Sequence, residues 1–256
     1  MKSIFLTLSV AVFFNCLFNN VCYGQNYSLW PKRPPEIERA RALVQNQQFD
    51  DAVELLQTYV KAEGVVGRES RKITASVNTR RYLSRLHPAA SIYTVRAGDT
   101  LTRIVNTTHC PSEVIMLLNG IADPSTLKAG QKIVVVKADL RVEVYAAQQE
   151  LCVWDEDVLV ASYDIESSSL QLNGKDIQTK VLTRDGYVNG EALPLRSTHF
   201  LGADRVLKLD GGVAICGAHV LQGAVIKLAP LDMNELALLV SVGAQVFICD
   251  SKPDGV

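Results

Sequence analysis

The sequence predicts an α+β protein of several units: an N-terminal helical hairpin, a small strand–helix–helix–strand module and a mainly β sandwich or barrel with one helix. Apolar residues recur at helical spacing between positions 37 and 60. Over 93–137 two short strand patterns flank two helix patterns, and from residue 139 several alternating segments surround one helix at 232–240. The chain has 256 residues, of which 48% are hydrophobic, so each unit can form a core.

The charge balance excludes one broad class of function. The chain carries 26 basic and 27 acidic side chains, whereas bulk electrostatic binding of nucleic acid needs a surplus of Lys and Arg. The charges are also uneven, because 25–92 has 11 basic and 7 acidic residues while 139–256 has 9 and 17. This asymmetry favours separate structural units.

The first 24 residues have the features of a cleaved secretory signal peptide. Lys2 precedes an apolar run, and small residues stand before Gln25, so we expect cleavage after Gly24. An uncleaved anchor and a lipoprotein are the alternatives, but the run is short for a span, and neither Cys16 nor Cys22 has a suitable lipid-attachment context. We expect a periplasmic or cell-envelope protein with no transmembrane span after cleavage.

The segment 25–92 combines a proline-rich linker with a tetratricopeptide-like helical region. Asp50 or Asp51 is expected to cap the second helix and Gly64 to end it, before a further helix over 68–86. A single hairpin of this type needs neighbours for stability, so we expect it to pack beside the following domains or to contact other envelope proteins.

A histidine next to a proline closes this region. We expect His87, which precedes Pro88, to lie at a solvated helix end.

The sharpest pattern lies at 93–137. It consists of Tyr-x-Val-x-x-Gly-Asp-Thr-Leu at 93–101, Asn119, and Leu-x-x-Gly-Gln-x-Ile at 127–133. The first motif predicts a strand, a turn and a helix that Asp99 or Thr100 caps, and Asn119-Gly120 is expected to close the second helix. In order and spacing these residues resemble a LysM domain.

The LysM resemblance implies binding to N-acetylglucosamine-containing glycan, in bacteria usually peptidoglycan. In such a groove, backbone groups and the Asp and Asn side chains would bond to acetamide and hydroxyl groups. The alternative is a purely structural module, because the turn and cap need the same residue types. The resemblance places the groove between two segments: Gly98, Asp99, Thr100 and Leu101 opposite Asn119, Gly120, Ile121 and Ala122.

The segment 139–250 resembles the YkuD-type L,D-transpeptidase domain. The resemblance rests on the strand patterns at 140–144 and 150–154, on Thr-Arg-Asp-Gly at 183–186, on Phe-Leu-Gly at 200–202 and on the closing stretch 226–248. A hairpin turn is expected at 155–157. A LysM domain directly before such a domain, with a helical hairpin before both, is a known arrangement.

The transpeptidase resemblance implies acyl transfer, in which a Cys thiolate attacks a stem-peptide carbonyl and a His accepts the proton. In this chain Val225 stands at the position of that cysteine, Cys216 at that of the motif histidine and Lys227 at that of the substrate-orienting arginine. The connecting loop is shortened to 218–221. Valine cannot form a thioester, so we expect a degenerate and inactive domain.

The alternative is an active cysteine enzyme that forms or trims peptidoglycan cross-links. It requires a relocated thiol–imidazole pair of Cys216 and His219. Residues three apart do not face each other in an extended strand, which argues against the pair. A zinc site of these two residues and His199 matches no common ligand spacing, so no metal or cofactor is expected.

Four cysteines remain after the signal: Cys110, Cys152, Cys216 and Cys249. They permit three disulfide pairings, and buried free thiols are an equally good interpretation. The sequence as a whole predicts an exported protein that binds peptidoglycan glycan strands, with stem peptides and other envelope proteins as further candidate partners.

Overall fold

The computed structural model describes residues 34–137, 139–189, 191–193, 203–218 and 223–250. The proposed signal peptide lies outside these residues. No helix in the described ranges is both long and apolar enough to cross a membrane.

Three helices form the N-terminal region: α1, Pro35–Gln45; α2, Phe49–Leu56; and α3, Gly64–Tyr82. Ile37, Ala40 and Leu56 are buried where these helices meet. Apolar residues at helical spacing therefore form one face of each short helix, as the periodicity predicts.

Two expected helix boundaries are wrong. Neither Asp50 nor Asp51 caps α2; both lie within its first turn, where a carboxylate still favours the helix dipole. The Asp50 carboxylate instead pairs with Arg81 of α3. Gly64 opens α3 rather than ending α2, because its φ of +64° turns the chain into the new helix at a conformation that suits glycine.

The LysM module has the predicted order of elements. It consists of β1, Ala90–Thr94; α4, Leu101–Thr108; α5, Ser112–Asn119; a short 3₁₀ helix, Pro124–Thr126; and β2, Lys132–Val136. The two strands pair antiparallel, with Ile92 opposite Val134. Ile104, Ile115 and Ile133 fill the core between the strands and the helices.

The β domain is a closed sheet, which confirms the expectation of a mainly β sandwich or barrel. Its elements are β3, Arg141–Tyr145; β4, Glu150–Asp155; β5, Val158–Ser168; β6, Ile177–Val188; β7, Glu191–Leu193; β8, Asp204–Leu209; β9, Val213–Cys216; β10, Ala224–Leu228; α6, Pro230–Leu239; and β11, Gln245–Cys249. The strand order is β11-β3-β4-β5-β10-β9-β8-β6-β7, and β11 also pairs with β6 and so closes the sheet.

Two long strands, β5 and β6, each pair with different neighbours along their length and so connect the two halves of the sheet. β5 pairs with β4 through residues 158–164 and with β10 through residues 165–168. β6 pairs with β11 through 177–180 and with β8 through 181–187, with a register shift between Val181 and Thr183. Such an irregularity bends a strand and lets it serve both halves of the sheet.

The helical region packs against the β domain through buried hydrogen bonds and an ion pair. The Arg71 side chain of α3 donates to both carboxylate oxygens of Glu150, with Nη2–Oε2 and Nε–Oε1 distances of 2.6 and 3.0 Å. Asn78 and Thr79 donate to the carbonyl oxygens of Leu159 and Val160 at 2.7 and 3.0 Å. α3 thus covers the half of β5 that β10 does not reach.

The ion pair between α3 and β4 is fully removed from water. Both side chains are at most 3% exposed. Burial alone would raise the pKa of Glu150, but the Arg71 guanidinium and the Ser162 hydroxyl hold this pKa below its ordinary value. The pair therefore stays charged, and each partner depends on the other.

A second buried charge cluster joins the LysM module to the β domain. Glu113, in the first turn of α5, places Oε1 3.4 Å from Nη2 of Arg184 and 3.6 Å from Nη1 of Arg205. All three side chains are at most 10% exposed. Arg184 also donates to the carbonyl of Ala237 in α6. Burial lowers the pKa of both guanidinium groups, that of Arg205 to about 10, and Glu113 opposes this shift.

His87 is not at a solvated helix end, as its position beside a proline suggested. Its residue exposure is 5%, and its ring lies edge-on to that of Tyr82 with 4.4 Å between the centroids. The Ala89 N–H donates to Nδ1 at 2.9 Å, so this nitrogen carries no proton. Burial accordingly lowers the pKa of the imidazole.

The histidine lies where the three units meet. A small cavity of about 20 Å³ beside it is lined by Tyr82, Leu83, His87, Pro111, Val114, Val136, Leu140, Leu238, Leu239 and Ser241, which come from all three units. The helical region, the LysM module and the β domain therefore share one apolar junction.

Candidate functional site

The first segment of the predicted glycan groove is a turn held by a carboxylate. Asp99 Oδ2 accepts hydrogen bonds from the Arg96 N–H and the Tyr93 hydroxyl, both at 2.8 Å, and its side chain is 3% exposed. These donors lower the pKa of Asp99. Thr100 caps α4 by accepting from the Arg103 N–H at 3.2 Å. Both polar side chains of this segment therefore serve the turn and the helix start.

The second segment contains an amide that acts as part of the sheet. Asn119 Oδ1 accepts from the Val134 N–H at 2.8 Å, and Nδ2 donates to the Val134 carbonyl at 2.7 Å. Nδ2 also donates to the Ile115 carbonyl at 2.8 Å. The Asn119 amide thus pairs with β2 as a neighbouring strand would, and Gly120 ends α5 in the left-handed region with φ +62°.

These contacts differ from the expectation that the Asp and Asn side chains face a ligand. What remains accessible is backbone: Gly98 and Ala122 are exposed, and their N–H groups donate to no acceptor within the described ranges. Leu101 and Ile121 belong to the hydrophobic cluster of the module. The arrangement therefore offers amide donors without an internal acceptor in the described ranges, next to the partly buried Leu101, which suits an acetamide carbonyl and its methyl group.

In the β domain, the candidate cysteine lies at the end of β9. Cys216 is 1% exposed and belongs to an outer apolar cluster with Val206, Ala214 and, partly buried, Tyr187 and Val225. Burial raises the pKa of its thiol, although Lys227, its register partner on β10, offsets part of this shift. A buried thiol in an apolar cluster is a poor nucleophile at neutral pH.

The structure does not describe the proposed partners of this thiol. His219 and His199 are outside the described residues, so the relocated thiol–imidazole pair and the zinc interpretation stay untested hypotheses. Among the residues that the structure does describe, no group of three or more His, Cys, Asp or Glu side chains could hold a metal ion. The four cysteines that the structure describes have free thiols: Cys110, Cys152, Cys216 and Cys249.

The interdomain contacts were not anticipated from the sequence. Glu113 appears as an ordinary first-turn acid, Arg184 belongs to the Thr-Arg-Asp-Gly pattern at 183–186, which indicates no buried partner, and Arg205 has no motif of its own. A weak signal exists in hindsight, because Arg205 directly precedes the apolar residues Val206 and Leu207, and an arginine buried in such a strand needs a partner for its charge.

Comparison with known families agrees with the LysM interpretation. Residues 93–136 match the LysM domain family, so this segment is a LysM domain. An Escherichia coli (strain K12) protein described as "Uncharacterized lipoprotein YgeR" is 47% identical over 45 residues, which are 18% of this chain and 18% of that protein. The chain therefore matches less than a fifth of the length of this relative.

Solved structures similar to this chain include L,D-transpeptidases. The enzyme from Xylanimonas cellulosilytica is 16% identical with a TM-score of 0.30, over 44% of this chain and 61% of that one. The enzyme from Mycobacterium smegmatis is 13% identical with a TM-score of 0.32, over 47% and 64%. The match covers less than two thirds of each of these structures.

Proposed function

We propose that this protein is exported to the cell envelope and binds the N-acetylglucosamine-containing glycan of peptidoglycan through residues 93–136. The observation that carries the proposal is the LysM domain itself. The shared segment with a protein described as a lipoprotein supports a place in the envelope.

The geometry supports a backbone-mediated mode of binding. The exposed N–H groups of Gly98 and Ala122 can donate to acetamide carbonyls, while Asp99 and Asn119 fix the two segments that present them. Because those two side chains are used internally, binding depends on them through the shape of the groove. Saccharide recognition by preorganised backbone donors costs little ordering on binding.

We further propose that the β domain is a non-catalytic module. The support is chemical: valine stands at the position where the resembling enzymes carry their nucleophile, and the neighbouring thiol of Cys216 is buried. Its contribution is then structural, since it holds the LysM module through Glu113 and the helical region through Arg71.

The test of glycan binding is co-sedimentation of residues 25–256 with insoluble peptidoglycan. Ala122→Gln places a longer side chain in the groove without touching an internal hydrogen bond, and we expect it to reduce retention. Ala147→Gln, at an exposed alanine of the β3–β4 turn, is the matched control. Equal retention of wild type and both variants would move the binding site away from 93–136.

The same pellets test the absence of catalysis. Mass analysis of the muropeptides should show the same cross-links with and without the protein. New or lost cross-links that disappear in Cys216→Ala would favour the active cysteine enzyme instead.

A further inference from the structure

An arginine outside the LysM domain reaches its second segment. Arg85 follows α3, eight positions before the LysM domain begins. Its Nε donates to the Leu118 carbonyl at 3.0 Å and its Nη2 to Asn119 Oδ1 at 3.4 Å. These are the last two residues of α5, directly before the Gly120–Ala122 loop. The helical region therefore contributes a cation to the edge of the candidate glycan groove.

The positive charge of this arginine is not used within the described chain. Arg85 is exposed, no carboxylate of the described residues lies within ion-pair distance of it, and its Nη1 has no acceptor there. Three arginines of α3 differ, because Arg68, Arg71 and Arg81 each pair with a carboxylate.

A purely structural explanation accounts for only half of these contacts. A cation near the end of a helix stabilises its last carbonyl groups, which explains the bond from Nε to Leu118. It does not require that Nη1 stay open to solvent. Across the groove lie Arg96 of the turn, which is exposed, and Arg103 of α4, whose side chain is 71% exposed and whose Nε lies 3.8 Å from Asp99 Oδ1.

We propose that Arg85 is a specificity-determining residue that binds a carboxylate of the glycan, so that the site prefers acidic, muramic-acid-containing strands over neutral N-acetylglucosamine polymers. The inference rests on the proposed glycan binding at 93–136 and names its ligand more closely. Peptidoglycan carries a lactyl carboxylate on alternate sugars, free or extended by a stem peptide, whereas a neutral polymer carries none. A guanidinium whose Nη1 has no acceptor within the described chain suits such a carboxylate.

Exposed apolar side chains stand next in sequence to Arg85 and to its acceptor Leu118. Leu86 is 78% exposed and Leu117 is 45% exposed. They can contact the methyl group of the lactyl substituent, which a neutral polymer also lacks.

The test compares one glycan with and without its charge. Three probes are titrated calorimetrically into the full mature chain: a GlcNAc–MurNAc tetrasaccharide with free lactyl carboxylates, the same tetrasaccharide as its methyl amide, and a neutral N-acetylglucosamine tetramer. For the wild type we expect the acid to bind about two- to fivefold more tightly than the amide at low salt, the effect of one exposed ion pair. The preference should shrink at about 0.5 M salt.

Three variants separate charge from structure. Arg85→Gln should abolish the preference for the acid and leave the affinity for the amide unchanged, whereas Arg85→Lys should keep part of it. Arg39→Gln removes another exposed arginine, from α1, and should change nothing.

Two results would overturn the inference while leaving glycan binding intact. One is an acid preference that survives in Arg85→Gln, and the other is an equal loss for all three probes, which would make Arg85 a support of the loop only. If the wild type binds none of the probes, the proposed function fails, and the role of Arg85 fails with it.

Discussion

Removing the Glu113 carboxylate should destabilise the whole protein, because it deletes the negative charge that two buried arginines face. Glu113 lies 3.4 and 3.6 Å from the guanidinium nitrogens of Arg184 and Arg205, and none of the three is more than 10% exposed. Breaking a buried ion pair by deleting one partner costs about 3–5 kcal/mol. Both distances are longer than a strong charged hydrogen bond, so we expect Glu113→Gln to cost about 3 kcal/mol.

The assay is thermal unfolding followed by circular dichroism at pH 7. For a protein of this size, a loss of about 3 kcal/mol lowers Tm by roughly 6–12 °C. Glu38→Gln is the matched control, because its partner Arg41 is 3.9 Å away and both are exposed. That variant should change stability by less than about 0.5 kcal/mol.

A rescue variant separates charge from packing. Replacing Glu113, Arg184 and Arg205 together by methionine removes all three charges and should recover most of the loss. A cost below about 1 kcal/mol for Glu113→Gln would refute the reasoning, since it would mean that the cluster is hydrated and that the charge contributes as it does on a surface.

Three further predictions follow from the described contacts. Asn119→Ala should lower the free energy of unfolding by about 2 kcal/mol, because it leaves the N–H and the carbonyl of Val134 without their partner. Hydrogen exchange of the Val134 amide should become faster in this variant. Unchanged exchange would contradict the prediction. Burial lowers the pKa of His87 in the folded state, so the contribution of the neutral imidazole to stability is complete above pH ~6.5 and is lost as the pH falls through the lower folded-state pKa. Urea midpoints measured from pH 7 to 4.5 should therefore fall more steeply for the wild type than for His87→Gln. Parallel curves would refute this prediction. Cys216 should react with iodoacetamide more slowly than the half-buried Cys249 in the folded protein and equally fast in urea, and a Cys216 that reacts first would support the enzyme alternative.

The sequence predicts the units of this fold well where the pattern is local. The LysM order follows from turn and cap residues, and Thr100 and Gly120 act in the structure as their residue types indicate. The strand β3 follows from the alternation of polar and apolar residues, whereas β4 and β11 follow from short, largely apolar runs. β6 is 12 residues long and was not identified as a strand, because its register shift after Val181 breaks the alternation and half of its side chains are polar.

The candidate site is less predictable, because the hydrogen-bond partner of a side chain depends on the tertiary structure. The residue type of Asn119 suits either a ligand or an internal bond, and only the position of Val134 decides between them. His87 looks solvent-exposed in the sequence, yet residues more than twenty positions away bury it. Arg85 lies outside the LysM motif altogether, so no motif could assign it to the groove.

The place of β11 in the sheet has a consequence for how the chain folds. β11 lies between β3 and β6, and it pairs Val246 with Val142. Closing the sheet therefore requires contact between residues about a hundred positions apart. Until residues 245–249 are available, β3 and β6 each present an unpaired edge.

During synthesis from the N-terminus, α3 and the LysM domain can therefore form early. The barrel cannot close until β11 has been synthesised. During that interval the two edges are templates for pairing with other chains. A truncated chain without β11 could never close the sheet. The edges of β3 and β6 would then stay unpaired, and we expect such a chain to aggregate.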